Sequence, residues 1–318
     1  PVGRFLAGLD IGGTKTAVLL VDQALNVRAR TKSVTQVSDP QSLVAGIAAA
    51  IHEALQLAGV PSNRLAAIGA GIPGRVVAET GEVQVAVNLN IDSYPVGPAL
   101  EELFEVPVVL MNDVRAAALG AYDWLQGLQP VSHMAYMSIG TGIAAALVVD
   151  GRIYHGARAM AGEIGHTIFE PHGPMCVCGM AGCLEAIASG PAIARQWQES
   201  CPAVAGNGVT AKSVYAAATQ GQPEATAVIQ HVSEALARAV YLLVNLYDVE
   251  KVVLGGGVTG AGPVFIDPIF AALDHMRAQS ALVRSALPPD ILVALPPGHD
   301  AATWGAIKLA QQALLALR

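Results

Sequence analysis

Leu9-Asp10-Ile11-Gly12-Gly13-Thr14-Lys15-Thr16-Ala17-Val18-Leu19-Leu20-Val21-Asp22 reads as a strand, a glycine turn and a second strand. An apolar run broken by Gly and Thr and then resumed marks a β-hairpin whose turn exposes backbone N–H groups. Met137-Ser138-Ile139-Gly140-Thr141-Gly142-Ile143-Ala144-Ala145-Ala146-Leu147-Val148-Val149-Asp150 repeats the pattern at a constant offset, matching Ile, Gly, Ala, Val and Asp. Glycine-rich turns occur in any α/β protein, but a fixed offset over the whole stretch sets this pair apart. Two related hairpins, each opening an α/β half, imply a duplicated, two-lobed architecture.

Around the hairpins, strands and helices alternate. Pro40–Leu57 has helical spacing, and Leu65–Ala70 reads as a buried strand entering Gly71-Ile72-Pro73-Gly74. Val106–Leu110 is a strand leading to Asn112-Asp113, with a helix expected over Val114–Trp124. Further helices are expected over Gly190–Glu199, Ala211–Thr219, Glu224–Leu246 and Ala301–Leu317, and a short strand over Lys251–Leu254. The class is α/β. The lobe boundary is expected near the helix after Asp113, giving 1–114 plus 301–318 as a small lobe and 115–300 as a large one.

At 318 residues the chain exceeds one ordinary core. Hydrophobic residues make up 53% and charged ones 14%, which excludes broad disorder. Polar or turn residues such as Asp22, Asp150 and Asp248 interrupt the apolar runs, so no window of membrane-spanning length is expected. Pro1–Asp10 lacks a signal-peptide pattern, and the chain reads as cytoplasmic. A net charge of −7 without a basic cluster argues against nucleic-acid binding and fits a small polar substrate.

Three of the four cysteines fall in Cys176-Val177-Cys178-Gly179-Met180-Ala181-Gly182-Cys183, with His166 upstream and Glu163 and Glu185 flanking. Three thiols and an imidazole form a closed tetrahedral zinc set, and Gly179 and Gly182 let the thiolates converge. His155 or His172 could replace His166 as ligand. Buried free thiols and a disulfide are the competing readings, and Cys201 reads as a small apolar residue.

Asp10-Ile11-Gly12-Gly13-Thr14-Lys15 is a candidate phosphate loop, in which Asp10 could hold Mg²⁺ through water. A strand follows it, so it is not a P-loop. Gly140-Thr141-Gly142 would be a second cradle. Gly255-Gly256-Gly257-Val258-Thr259-Gly260 contains GxGxxG after a strand, but Pro263 stands where a dinucleotide-fold helix should already be running. The loop reads instead as backbone on which an adenine or ribose could lie, or as a plain tight turn. Asn112-Asp113 ends a buried strand, where Asp113 can deprotonate a hydroxyl for in-line attack or cap the following helix. Asn88, Asn112, Glu163, His166 and Glu185 offer the paired donors and acceptors that vicinal hydroxyls need.

On these residues the chain resembles the ROK family (repressors, open reading frames, kinases) over nearly its whole length. Asp10–Lys15 and Gly140–Gly142 are similar to the family's two phosphate motifs, Gly71–Gly74 and Asn88-Leu89 to its sugar-side loops, and Asn112-Asp113 to its catalytic pair. Glu163-Ile164-Gly165-His166 with Cys176, Cys178, Cys183 and Glu185 matches its zinc motif. The resemblance implies an actin/hexokinase-like fold of duplicated, ribonuclease H-like halves. It further implies ATP with Mg²⁺ as donor, structural Zn²⁺, a homodimer or homotetramer, and transfer to a hexose 6-hydroxyl. Asp113 would be the base, with Gly71, Asn88, Asn112, Glu163, His166 and Glu185 at the sugar. Asp10, Gly12, Gly13, Thr14, Lys15, Thr141, Gly142, Gly256 and Gly257 would hold the nucleotide, and His166, Cys176, Cys178 and Cys183 the zinc. His166 could serve both zinc and sugar through its two ring nitrogens. The chain departs from the family at Ala144 and Ala145, where glycines are usual, and at Ile91, where an aromatic is frequent. Glu163 resembles glucokinases, whereas His172-Gly173-Pro174 and Glu185–Gly190 resemble N-acetylmannosamine kinases. Glucose is the expected substrate. A sugar-sensing regulator without turnover is the rival from another class; family regulators usually carry an N-terminal DNA-binding extension, for which a first strand starting near Phe5 leaves no room.

Overall fold

Both hairpins form where the sequence places them. The computed structural model describes residues 4–204, 206, 208–296 and 298–316. They divide into two units, one within Pro1–Pro130 and Asp300–Arg318, the other within Val131–His299. Residues 1–3 of the stretch read for a signal peptide, and Leu317 of the expected last helix, lie outside the described residues.

The first unit contains β1 (Phe5–Ile11), β2 (Lys15–Asp22), β3 (Val27–Val34), α1 (Pro40–Leu57), β4 (Leu65–Ile72), β5 (Arg75–Val77), β6 (Glu82–Ala86), β7 (Ile91–Tyr94), α2 (Val96–Phe104), β8 (Val108–Asn112) and α3 (Asp113–Gln126). The second contains β9 (Met134–Ile139), β10 (Ile143–Val149), β11 (Arg152–Tyr154), α4 (Leu184–Ala188), α5 (Gly190–Ser200), α6 (Ala211–Thr219), α7 (Pro223–Tyr247), β12 (Lys251–Gly255), α8 (Pro263–Gln279), α9 (Ala281–Ala286) and β13 (Leu292–Ala294). The chain then returns to the first unit with α10 (Ala301–Ala316).

The first sheet runs β3-β2-β1-β4-β8 and the second β11-β10-β9-β12-β13. In each, an antiparallel meander of three strands continues into two parallel ones. The duplication is therefore topological. It is not residue for residue: Ile11 pairs with Thr16, whereas Ile139 pairs with Ile143, so the second turn is one residue shorter. Burial follows the structural register, with Thr16–Asp22 and Ile143–Val149 sharing one pattern of buried and half-buried positions. The sequence matches Ala17/Ala145 and Asp22/Asp150 thus fall one position out of structural register. A one-residue slip exchanges sheet faces, and here the shorter turn absorbs it.

Both faces of the first sheet are buried. Ala7, Leu9, Ile11, Val18 and Leu20 join one core with α1, while Leu6, Leu19 and Val21 face the other way onto Ile307 and Ala310 of α10. This explains why β4 is apolar throughout rather than alternating. Helix α10 crosses α3 at glycines: a Cβ at Gly305 would lie 1.7 Å from the Ala116 carbonyl oxygen, and one at Gly120 2.0 Å from that of Ala301. That contact holds α3 in the first unit. The expected boundary at 114/115 cuts α3 off from its packing partner, and the division instead falls after Pro130.

Helix α7 corrects a second expectation. It is long and apolar enough to cross a membrane by length and composition, with a mean hydropathy of 1.3 over its best window. Of that window 61% is buried within the protein, as in a core helix, and Val232, Leu236, Val240 and Leu243 lie in the second unit's core. Helix α8 begins at Pro263 itself, in the first turn where proline's missing N–H costs nothing.

Gly305→Ala sets two effects against each other. Helix propensity favours alanine by about 1 kcal/mol, while overpacking against a backbone carbonyl costs roughly 1–3 kcal/mol. Net destabilisation is expected, read as a lower denaturant midpoint; an unchanged or higher midpoint contradicts the close crossing.

Candidate functional site

Parallel strand register gathers the first unit's polar residues at one edge. Asp10 pairs with Gly71, Gly71 with Met111 and Ile72 with Asn112, so β1, β4 and β8 end together. Carboxyl ends of parallel strands are where α/β folds bind ligands. The Asn112 side-chain oxygen accepts from Arg115 N–H at 3.3 Å and caps α3, and its amide donates to Asp113 Oδ1 at 3.0 Å and to the Gly74 carbonyl at 3.3 Å. The cap is therefore Asn112 and not Asp113, which is the first helical residue and is half-buried. Gly71 is buried beneath that helix start: a Cβ there would meet the Ala116 Cβ at 3.0 Å, which gives it a packing role.

The first glycine turn is closed by Gly12 N–H donating to the Lys15 carbonyl at 2.9 Å and tethered by the Thr35 hydroxyl on the Gly12 carbonyl at 2.7 Å. Thr14 and Lys15 are exposed on it. Gly13 lies against Asn88, whose carbonyl oxygen would stand 3.0 Å from a Cβ at residue 13. Burial pushes the Asp10 carboxyl up to about 7, and the neighbouring charges of Asp300 and Asp113 add to the shift while Lys32 opposes it. Three carboxylates and a half-closed turn suit a divalent cation, which would reverse that repulsion. Sequence reading missed Asp300. Its signal was helix-start chemistry, since its side chain accepts from Thr303 N–H at 3.3 Å at the head of α10, but its distance in sequence hid the link to Asp10.

In the second unit Gly140 N–H donates to the Gly142 carbonyl at 2.9 Å, and Gly190 N–H donates to the Gly140 carbonyl at 2.8 Å. Glu185 Oε2 accepts from Ile143 N–H at 2.9 Å and would lie 2.6 Å from a Cβ at Gly142. Glu185 thus fastens the turn with one carboxylate oxygen. Ala144 and Ala145 lie in β10 with ordinary strand backbone, and Ala145 N–H donates to the Gly162 carbonyl at 2.7 Å, so glycine is not required at either position. A cavity of about 810 Å³ opens beside the turn. Thr141 and Gly257 line it, joined by Ala194, Thr210, Tyr215 and Val264; Lys212 is the charged side chain of its wall among the described residues. Apolar walls with a few hydroxyls and one cation suit a flat, anionic, nucleotide-sized ligand. Gly142 and Gly256 flank this wall and shape the turns instead; Gly256 adopts φ +92°. Lys212 and Tyr215 carry no motif and were invisible in sequence.

The segment holding Cys176, Cys178 and Cys183, a cysteine knot, closes as a hairpin of bridges between Met175 and Ala181 and between Ile168 and Cys183. The ligand atoms of His166, Cys176, Cys178 and Cys183 all lie within 4.8 Å of one another. His166 Nδ1 is 3.6 Å from Cys176 Sγ, and Cys178 Sγ is 3.6 Å from Cys183 Sγ. A tetrahedron with zinc–sulfur bonds of ~2.3 Å has sulfur–sulfur edges of roughly 3.8 Å, so the donor set fits zinc. His155 and His172 stand outside it, and no disulfide joins these thiols. Burial and the neighbouring thiols push Cys183 up to about 12, whereas the Met180 backbone N–H draws Cys178 down. Gly182 has φ +75°, and a Cβ there would strike the Glu170 carbonyl oxygen. Glu163 precedes and His166 ends the short 3-10 turn Ile164–His166, both exposed. Cys201 packs at the edge of the core.

The ROK family model matches residues 6–313. The chain belongs to the ROK family. It is 34% identical to a glucokinase from Halalkalibacterium halodurans, covering 97% of this chain and 96% of that one. It is 33% identical to an N-acetylmannosamine kinase from Citrobacter koseri, covering 95% and 97%. A ROK family glucokinase from Streptomyces griseus, solved in complex with glucose and AMPPNP, superposes with a TM-score of 0.80 at 28% identity, covering 98% and 99%. The fold class is the hexokinase-like, two-lobed α/β fold of ROK proteins.

In this ROK protein the raised Asp10 carboxyl carries a pH signature. Its folded value near 7 exceeds the unfolded value of 3.8, so the folded state binds more protons between them. The stability this contributes is complete below about pH 4 and is lost as pH rises through about 7. Asp10→Asn should flatten the fall in Tm between about pH 4 and about pH 7, and millimolar Mg²⁺ should oppose that fall in the unmodified protein. Identical slopes for both proteins exclude the buried-carboxylate account.

Proposed function

We propose that this ROK protein is an ATP-dependent sugar kinase that phosphorylates the 6-hydroxyl of a hexose, glucose foremost. The observation that carries the reading is Asp113, half-buried at the carboxyl end of β8 beside Asp10, with capping of α3 assigned to Asn112. Asp113 takes the hydroxyl proton as the sugar oxygen attacks the terminal phosphorus; the bond from that phosphorus to its bridging oxygen breaks and ADP leaves. Mg²⁺, when bound, would neutralise the phosphate charge, and Asp10 is the side chain that would hold it. Gly12, Gly13, Thr14 and Lys15, with Thr141, Gly142, Gly256 and Gly257, are the nucleotide's backbone and side-chain partners, and the cavity beside Thr141 supports a base and ribose there. Gly71, Asn88, Asn112, Glu163, His166 and Glu185 serve the sugar, Gly71 by seating Asp113. His166 and the three cysteines hold a structural zinc, a site consistent with a reducing cytoplasm. A homodimer or homotetramer belongs to this reading.

Glu163 supports glucose. A second reading, N-acetylmannosamine kinase, is favoured by a relative of nearly equal identity. Release of ADP measured against a panel of hexoses and N-acetylhexosamines separates the two. No turnover with any sugar that binds leaves the sugar-sensing alternative.

With Asn112 keeping the cap, Asp113→Ala should fold and bind sugar nearly as the unmodified protein does, while kcat falls about 10²–10⁴-fold. Retention of most of the kcat removes Asp113 as base. For the metal, elemental analysis should give one zinc per chain, and strong chelation should lower Tm. A metal-free protein with freely titrating Cys176, Cys178 and Cys183 ends that assignment.

A further inference from the structure

His231, in the middle of α7, has both ring nitrogens engaged. Nδ1 stands 2.7 Å from Gln196 Oε1, and Nε2 stands 2.6 Å from Glu170 Oε1. Gln196 in turn spends its amide nitrogen on the carbonyls of Ile187, at 2.6 Å, and Ala192, at 3.2 Å. Its oxygen must therefore face the ring and accept, which fixes a proton on Nδ1. Glu170 is the point where the knot meets this ring. Its backbone N–H donates to the Gly182 carbonyl at 3.1 Å, and its own carbonyl accepts from Gly173 N–H at 2.8 Å. Gly182 precedes the ligand Cys183, and Ile187 shares α4 with Glu185. A single side-chain chain thus links α7, α5, α4 and the knot.

We propose that His231 is a positioning residue that clamps the cysteine knot through Glu170 and aligns it with α4 through Gln196. Both side chains of the ion pair are partly exposed, so its charge contributes little. The worth of the contact lies in its two directed bonds. The inference rests on the zinc and sugar reading above only for what the knot holds.

The charge and the geometry separate in Glu170→Gln. An amide at 170 donates to a neutral ring's Nε2 while Nδ1–H still reaches Gln196, so the clamp survives without charge. Zinc-loaded protein is challenged with a chromogenic chelator, and amide hydrogen exchange is followed over residues 168–185. His231→Ala and Glu170→Ala should lose zinc about tenfold faster or more, as loss of outer support typically does. They should also exchange faster over the knot and raise the sugar KM with kcat and the ATP KM nearly unchanged. Glu170→Gln should stay within about twofold of the unmodified protein, since both bonds persist. If the alanine variants lose only Tm, with zinc release and knot exchange unchanged, His231 is packing and the proposal fails. Should His231→Ala not fold, Glu170→Ala on the surface loop decides the matter. An unmodified protein without zinc refutes the metal assignment, and the exchange comparison still tests the clamp.

Discussion

Strand register is the constraint on which the rest of this protein depends. Each unit adds two parallel strands to an antiparallel meander, and parallel neighbours must end at the same edge. Asp10, Gly71 and Asn112 arrive together because β1, β4 and β8 are in ladder register. The same rule brings Ser138 of β9 level with Gly255 of β12, so that the Gly140–Gly142 turn and the Gly256-Gly257 loop become neighbours. Backbone hydrogen bonds hold this arrangement, and the apolar side chains buried on both faces of the first sheet select it by making slippage costly.

Once the edge is set, electrostatics follow from burial. Asp10 lies at the end of an interior strand, and the carboxyls of Asp113 and Asp300 face the same solvent-poor corner. Water is scarce there, so the group holds its proton near neutrality unless a cation replaces it. In the second unit the position corresponding to Asp10 is Ser138 of β9, and the turn that follows carries no acid. It is fastened instead by Glu185, which reaches from α4 to the backbone of the turn. The halves share a topology and divide the chemistry: the first concentrates negative charge, the second offers an apolar cavity with Lys212 on its wall.

The cysteine knot obeys a different physics. It has little apolar interior of its own, and exposed Val177, Met175 and Met180 show that burial does not hold it together. Convergent thiols, a positive-φ glycine pressed against Glu170 and the His231 contact set its shape. Its neighbour α4 inherits that shape, and with it the placement of Glu185.

The family, the paired hairpins and the convergence of His166 with three cysteines could all be read from residue order, because each is written in local spacing. So could most helices: Pro40–Leu57 and Ala211–Thr219 form over the bounds their periodicity indicates. The three-stranded β5–β6–β7 sheet, α2 and α9 went unread, since short segments carry too little pattern; β3 and the long helix α8 went unread as well, α8 because Pro263 and Pro268 read as breaks where the first in fact opens the helix. What folding alone settled involves partners distant along the chain. Asp300 joins Asp10 across nearly its full length, α10 reaches α3 through Gly120 and Gly305, and Gln196 and Glu170 meet on His231. The same holds for the shortened second turn and for the transfer of the helix cap to Asn112. A linear pattern records which groups a segment possesses; which of them lose water, and which distant atom replaces that water, is fixed by three-dimensional packing.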